Sequence, residues 1–335
     1  MIHDHLYRAR IPAVPAGTPR PLWSIMIPTY NCAKFLPETL TNVLLQDQGP
    51  ELMQIEVVDD HSTLDDPAVI VQQIGKGRVG FFRQAENVGI THNLDTCLRR
   101  SRGRLVHVLH GDDYVRDGFY RKLQMAFEKH PEIGAAFCRQ IFMDDQGHWQ
   151  TISRLEQAES GILTNWLTRI AVEQRIMTPS VVVRRSVYEN LGGFDSRLVY
   201  SEDWEMWIRI AAHYPVWYEV EPLAAYRMHG SSNTGRRVRT GEDTADTRKA
   251  IEISKSYLPS HLADRLSEQA NRTYALSALR TATRMLHNHD LTAAVAQMRE
   301  AFHCSCSWAV VRRSLPLFLR AGVLWMGQLS SGKPR

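Results

Sequence analysis

A chain of 335 residues is long enough for one large domain with an appendage, and a hydrophobic share of 44% suits a soluble globular core rather than a disordered chain. The 40 Lys and Arg residues against 36 Asp and Glu leave a formal charge of +4, which permits anionic substrates or an anionic membrane surface but falls short of a nucleic-acid footprint. Five cysteines (Cys32, Cys97, Cys138, Cys304 and Cys306) make no pair of C-x-x-C units, so a disulfide framework is not expected and a reducing, cytoplasmic setting is.

Met1–Pro21 carries several prolines and no apolar core, and reads as a flexible arm (residues 1–21), neither signal peptide nor anchor. A first buried strand is predicted over Trp23–Ile27, followed by the turn Pro28-Thr29-Tyr30-Asn31. Leu36, Leu40, Val43 and Leu44 then recur at helical spacing, with Pro37 acceptable in the first turn. A second strand, Ile55–Val58, runs straight into Asp59-Asp60-His61-Ser62. Pro67–Ile74 reads as a helix, Val79–Arg83 as a strand, and Asn87-Val88-Gly89 as a turn into a helix through Leu94 and Leu98.

The apolar run Leu105–Leu109 follows, ending abruptly in His110-Gly111-Asp112-Asp113. A helix near Gly118–Lys129 and a strand near Ala135–Met143 complete the first half. Strands alternating with helices at this rhythm imply βαβ units and a mostly parallel sheet, whose binding crevice lies at the carboxyl ends of the strands. Two adjacent carboxylates repel each other unless a cation or donor groups lie between them, so Asp112 and Asp113 behind Gly111 point to a hard divalent metal, Mg2+ or Mn2+. A polar turn after a strand is the alternative. No G-x-G-x-x-G stands in the turn directly after the first strand and no G-x-x-x-x-G-K-[ST] occurs, which excludes a dinucleotide fingerprint there and a P-loop.

In the second half Leu163–Gln174 is predicted helical, Ser180–Val183 a short strand and Leu191–Asp195 a turn. Ser201-Glu202-Asp203 precedes a helical run with Trp204, Trp207, Ile208 and Ala211; acids there can simply cap the helix. Trp217–Val220 and Ala224–Met228 read as strands, and His229-Gly230-Ser231-Ser232-Asn233-Thr234 opens an irregular basic loop through Arg239. Glu242 to His303 is helical in pattern. Trp308–Gly327 mixes short apolar runs with Arg312, Arg313 and Arg320, too short to span a bilayer and interrupted by Pro316. It packs on the rest of the chain or lies in a membrane interface.

Taken in order, Ile25-Met26-Ile27-Pro28-Thr29-Tyr30-Asn31, Val57-Val58-Asp59-Asp60-His61-Ser62, Asn87-Val88-Gly89, His110-Gly111-Asp112-Asp113 and Ser201-Glu202-Asp203 resemble the motif series of family-2 glycosyltransferases. Each motif alone is weak, and the five in sequence order, from about Trp23 to Thr234, are specific. The resemblance implies a GT-A fold, an α/β Rossmann-like mostly parallel sheet with flanking helices, over residues 22–240, with a helical C-terminal extension over 241–335. It further implies inverting, non-processive, metal-dependent transfer from a nucleotide-diphosphate sugar to a glycan or lipid-linked glycan, as in cell-surface polysaccharide or glycolipid assembly.

By the same resemblance Pro28, Thr29, Tyr30, Asn31, Asp59 and Asp60 form the nucleotide pocket, and Asn87, Gly89 and Asn93 reach the donor, where a helix N-terminus favours a diphosphate. His110-Gly111-Asp112 occupies the D-x-D slot, with Asp112 as metal ligand and Asp113 behind it, so that Gly111, Asp112 and Asp113 count among the donor-binding residues. The chain departs from the pattern at His110, which replaces an acid that commonly contacts ribose. Asp203 matches the general base with Glu202 beside it, and His229, in Tyr226-Arg227-Met228-His229, matches a histidine that can complete the metal shell. No Q-x-x-R-W follows Asp203 and no transmembrane run occurs, which argues against a processive synthase.

Two rivals stand beside this reading. A nucleotidyltransferase would carry a Gly-rich basic loop after the first strand, and Pro28–Lys34 has no glycine. A non-catalytic sugar-nucleotide regulator or scaffold would have no need of Asp203 beside the acidic pair. Peripheral contact at the inner face of a membrane, through residues 308–327, remains a further expectation.

Overall fold

A computed structural model describes residues 6–230 and 233–330. Met1–His5 of the expected arm, Ser231 and Ser232 of the expected loop, and residues 331–335 lie outside the described residues. The chain divides into two compact units, Met1–Trp166 with Arg175–Met228, and Leu167–Gln174 with His229–Arg335. The sequence-based boundary at residue 240 thus differs from the division at 228.

As far as Arg227 the elements in chain order are β1 (Trp23–Thr29), α1 (Leu36–Leu44), β2 (Met53–Asp59), α2 (Pro67–Gly75), β3 (Gly80–Arg83), α3 (Ile90–Arg100), β4 (Leu105–Val108), β5 (Tyr114–Val115), α4 (Phe119–Lys129), β6 (Ala135–Met143), β7 (Trp149–Ile152), β8 (Gly161–Ile162), α5 (Trp166–Ile170), β9 (Val181–Arg184), α6 (Arg185–Leu191), α7 (Glu202–His213) and β10 (Val216–Arg227), all of the first unit except α5, which beyond Trp166 belongs to the second. Every residue of β1, β2 and β4 is buried, because both faces of these strands are covered. The sheet order is β3-β2-β1-β4-β9-β6-β10-β5, with β7 beside β6 and β8 beside β10. β1 lies between β2 and β4, parallel to both, with Thr29 opposite Asp59 and Met26 opposite Val108. The chain builds outward from β1 through β2 to β3 and then returns to β4 on the other side of β1. That reversal is the topological switch point at which open α/β sheets bind ligands.

Several elements differ from the sequence reading. Trp217–Val220 and Ala224–Met228 are parts of one strand, β10, whose register against β6 slips on either side of Pro222, a residue with no N–H for the ladder. The helix expected over Leu163–Gln174 shrinks to α5, and α6 was not foreseen. The loop expected through Arg239 contains a helix over Asn233–Thr240.

Residues 7–12 of the expected loose arm are held: the Ser196 N–H donates to the Tyr7 carbonyl and the Gly193 N–H to the Ala9 carbonyl, both at 2.8 Å. Arg8 reaches the buried carboxylates of Asp195 (3.6 Å) and Glu205 (3.5 Å), and Ile11 is buried. A charge placed in this interior must be compensated, and Arg209 supplies more compensation, donating to Glu205 at 3.0 Å and to the Gly193 carbonyl at 2.8 Å.

The second unit is helical: α8 (Asn233–Thr240), α9 (Glu242–Ser254), α10 (Ser260–His287), α11 (Leu291–Cys304) and α12 (Trp308–Ser330). Alanines dominate its core, with Ala275, Ala278, Leu279, Ala282 and Leu286 of α10 against Ala294, Met298 and Ala301 of α11 and Val310, Leu317 and Ala321 of α12. α12 runs through Pro316 without ending there, which corrects the expected interruption. Pro316 and Arg312 both lie on the solvent side, so water can satisfy the carbonyl that the proline leaves without a donor.

In the first unit, Asp95 of α3 accepts from the Phe194 N–H at 3.0 Å, and a Cβ on Gly193 would lie 2.1 Å from its Oδ1. Burial pushes the Asp95 carboxyl from 3.8 up to about 6, opposed chiefly by that N–H. An acid raised on folding holds its proton longer in the native state, so stability falls as pH rises from about 4 to about 6. Asparagine keeps the acceptor and removes the charge. Asp95→Asn is therefore expected to gain roughly 1–3 kcal/mol near pH 8 and almost nothing near pH 4, read from urea midpoints at the two pH values.

Candidate donor and metal site

The carboxyl ends of β1, β2 and β4 deliver three turns to one edge. The central one, His110–Asp113, is a tight turn closed by the Asp113 N–H on the His110 carbonyl at 3.1 Å, and the Gly111 N–H donates to the Pro28 carbonyl at 3.1 Å. A Cβ on Gly111 would lie 2.5 Å from Thr29 Cγ2 and 3.1 Å from Cys32 Sγ, so only glycine allows this approach. From α1, the one hydroxyl proton of Thr39 is shared between the Asp113 carbonyl (2.7 Å) and the Gly111 carbonyl (3.0 Å). Arg227, the last residue of β10, donates its N–H to Asp113 Oδ1 at 2.8 Å and its Nε to the Asp112 carbonyl at 2.9 Å, while its guanidinium pairs with Glu38.

This turn brings one atom each of His110, Asp112 and Asp113 within 4.8 Å of one another, a group able to hold a metal ion. His110 Nδ1 stands 3.7 Å from Asp113 Oδ2. Burial, and then the charge of Asp112, drive the Asp113 carboxyl well above its ordinary value, against the Arg227 N–H. Burial likewise lowers the imidazole of His110, against the pull of Asp112. Asp113 Oδ2 is buried and has no hydrogen-bond partner among the described residues. An orphaned carboxylate oxygen beside a second carboxylate fits a divalent cation, which would relieve both the repulsion and the missing bond. The sequence reading assigned His110 only a replaced ribose contact; its place in this group was missed.

The β2 turn is bound inward. Asp59 is fully buried and accepts from Arg83 Nε at 2.6 Å and from the Ser62 hydroxyl at 2.5 Å. Asp60, buried as well, accepts from the Val88 N–H at 2.8 Å and the Gly89 N–H at 3.0 Å, while Asn87 Nδ2 donates to its carbonyl at 3.0 Å. Burial raises the Asp60 carboxyl above its ordinary value despite these donors. Gly89, at φ 82°, starts α3, and Asn93 on that helix donates to the Val58 carbonyl at 3.0 Å. Asn31, at φ 51°, accepts from the N–H groups of Thr63 (2.8 Å) and Leu64 (3.0 Å). Pro28 and Thr29 end β1 in the buried sheet, whereas Tyr30 is half exposed at its mouth. Thus Asp59, Asp60, Asn87, Gly89, Asn93 and Asn31 form one interlocked frame, and Tyr30 is its exposed aromatic.

Glu202 and Asp203 occupy the first turn of α7, where the helix dipole favours them. Ser201 is the N-cap residue, so Asp203 does not take that position. Glu202 is buried and Asp203 half-buried, with Thr178 Oγ1 donating to Asp203 Oδ2 at 3.2 Å. The neighbouring Pro179 carbonyl meets Nε2 of His107 on β4 at 3.0 Å. Burial pushes the His107 imidazole down to about 4, so it stays neutral and serves to pin the Thr178–Ser180 turn to the central strands. His229 falls just past β10, in the helical unit.

Comparisons with known proteins agree on a family. The profile described as Glycosyl transferase family 2 matches residues 24–192. An uncharacterised protein of Mycobacterium tuberculosis is 28% identical over 243 residues, covering 69% of this chain and 75% of the relative. An uncharacterised glycosyltransferase of Methanocaldococcus jannaschii is 24% identical over 223 residues, covering 66% of this chain and 75% of its own length. Among solved structures, Staphylococcus aureus TarS 1-349 in complex with UDP-GlcNAc superposes with a TM-score of 0.61 at 14% identity, covering 84% of this chain and 90% of that one. The mannosyltransferase PcManGT of Pyrobaculum calidifontis, in complex with GDP-Man and Mn2+, does so with a TM-score of 0.55 at 18% identity, covering 96% and 90%. At these identities the two structures establish a shared GT-A fold.

Thr39→Val tests how the acidic turn is held. It keeps the shape of the side chain and removes the shared donor from two buried carbonyls. A loss of about 1–3 kcal/mol in the urea unfolding free energy is expected, and an unchanged midpoint would show the turn to be held without Thr39.

Proposed function

The chain belongs to glycosyl transferase family 2, and from that premise we propose that it moves a sugar from a nucleotide-diphosphate sugar to an acceptor hydroxyl by a single inverting displacement, with a divalent metal at the donor. The observation that carries the proposal is the group His110, Asp112 and Asp113 at the topological switch point, with Asp113 Oδ2 orphaned. The ligands named for the two solved relatives, UDP-GlcNAc in one and GDP-Man with Mn2+ in the other, support a nucleotide-sugar donor and a metal. We propose Mg2+ or Mn2+, held by Asp112 and Asp113 with His110 alongside. When bound, such a cation supplies Lewis-acid stabilisation of the diphosphate oxygens that gather charge.

The frame around Asp59 and Asp60 would shape the nucleotide pocket, with Tyr30 flanking the base. The N-terminus of α3, from Gly89, would face the diphosphate, an arrangement favoured by its free N–H groups. Asp203 would take the proton. As the acceptor oxygen forms its bond to the anomeric carbon, its hydrogen passes to the Asp203 carboxylate, and the bond to the diphosphate breaks with its electron pair leaving on the nucleoside diphosphate. Glu202 stands beside it as the other candidate. A glycan or lipid-linked glycan acceptor, cell-surface polysaccharide or glycolipid assembly, and a cytoplasmic setting complete the proposal.

The purified chain, given a panel of nucleotide sugars and a divalent metal, is expected to release nucleoside diphosphate from one of them. Excess chelator or Asp112→Ala should abolish most turnover while the chain stays folded by circular dichroism, and full activity under chelation would remove the metal from the mechanism. Asp203→Asn keeps the side-chain size and loses the basicity. It should leave metal-dependent donor binding intact and slow transfer by roughly 10²–10⁴; near-parental transfer by Asp203→Asn, with Glu202→Gln inactive, would reassign the base to Glu202.

A further inference from the structure

α12 carries more large exposed apolar side chains than any other element among the described residues. Its inner face, Val310, Leu317 and Ala321, is committed to the core of the helical unit. On the opposite face Trp308, Leu315, Leu319, Val323 and Met326 are 76%, 56%, 75%, 64% and 60% exposed. These five positions fall on one line at the helical repeat. Single apolar residues on a surface need no explanation, but a continuous stripe, several turns long and led by a tryptophan, marks an interaction site.

The charges on the same helix select the occupant. Arg312 lies within the stripe, Arg313 and Arg320 border it, and Trp308–Ser330 contains no aspartate or glutamate. Among the described residues neither Arg312 nor Arg313 has an ion-pair partner, and Arg320 meets only the ring of His287. A second copy docked stripe to stripe would bring these arginines together with no acid on either helix to offset them. An anionic bilayer meets both demands at once, apolar residues entering the acyl boundary and guanidinium groups reaching headgroup phosphates on flexible stems. Tryptophan is the side chain that favours this boundary. No described helix is long and apolar enough to cross a membrane, so α12 would lie along the surface.

We propose that α12 seats this chain on an anionic lipid surface, with the Trp308–Met326 stripe in the interface and Arg312, Arg313 and Arg320 on the phosphates. The inference is separate from the transfer reaction, since a chain inactivated at Asp203 would bind the same membrane.

The test is co-sedimentation of the full chain with vesicles of phosphatidylcholine alone or mixed with phosphatidylglycerol, at low and high salt. Binding to the mixed vesicles at low salt is expected, with little on phosphatidylcholine and a loss at high salt. Arg312→Gln with Arg313→Gln should weaken that binding about tenfold or more. Leu315→Ser with Leu319→Ser should weaken the low-salt binding as well. Because all four side chains are exposed, thermal melting followed by circular dichroism should be unchanged. Failure of the parent chain to bind anionic vesicles, or undiminished binding by both variants, would overturn the proposal. So would light scattering that shows a dimer which the leucine variant converts to monomer without any vesicle binding, since the stripe would then be an interface between copies.

Discussion

The structure depends on holding two carboxylates side by side, one of them buried, at the end of a strand. Asp112 and Asp113 repel, and burial of Asp113 penalises its charge further. Left alone, such a turn would rotate one acid into water. It is prevented from doing so by contacts on the backbone and on Asp113 Oδ1: Thr39 on the two carbonyls, Arg227 on the Asp112 carbonyl and Asp113 Oδ1, and Gly111 wedged against Thr29. The fold thus places its donors on the backbone and on one side of Asp113, and among the described residues the other oxygen has no hydrogen-bond partner.

The β2 turn follows the opposite rule. Asp59 and Asp60 are saturated by Arg83, Ser62 and the Val88 and Gly89 N–H groups, so they act as struts. Their geometry fixes where α3 begins, and through Asn87 and Asn93 it ties that helix to β2. Acids that look alike in sequence therefore do different work: the pair after β2 builds the frame, and the pair after β4 is presented by it.

This division explains what could be read from the sequence. The strands from Trp23 and from Leu105 were legible because both faces are buried and each run is apolar but for one residue, Ser24 and His107 respectively. β7 was not, since all of Trp149–Ile152 is exposed and carries no alternating pattern, and β5 and β8 are too short to leave one. The acid motifs were visible as local strings in strand–turn context. Thr39 and Arg227 were not, because they reach Asp113 across separations of 74 and 114 residues, which only the parallel crossover topology brings together. The arm was misread for the same reason. Its anchors, Gly193, Asp195 and Glu205, lie far along the chain, and a proline-bearing segment with no apolar core shows nothing of them.

His110 is where the chain departs from the acidic pattern, and the departure has an electrostatic logic. A carboxylate at that position would put a third negative charge within the same few ångströms, and each added acid in a buried group raises the cost of ionising the others. An imidazole held neutral by burial offers a ring nitrogen without that penalty. The group then bears at most two negative charges, which a single divalent cation would balance. The histidine replaces an acceptor of full charge with a neutral one and so lowers the electrostatic cost of holding the turn together.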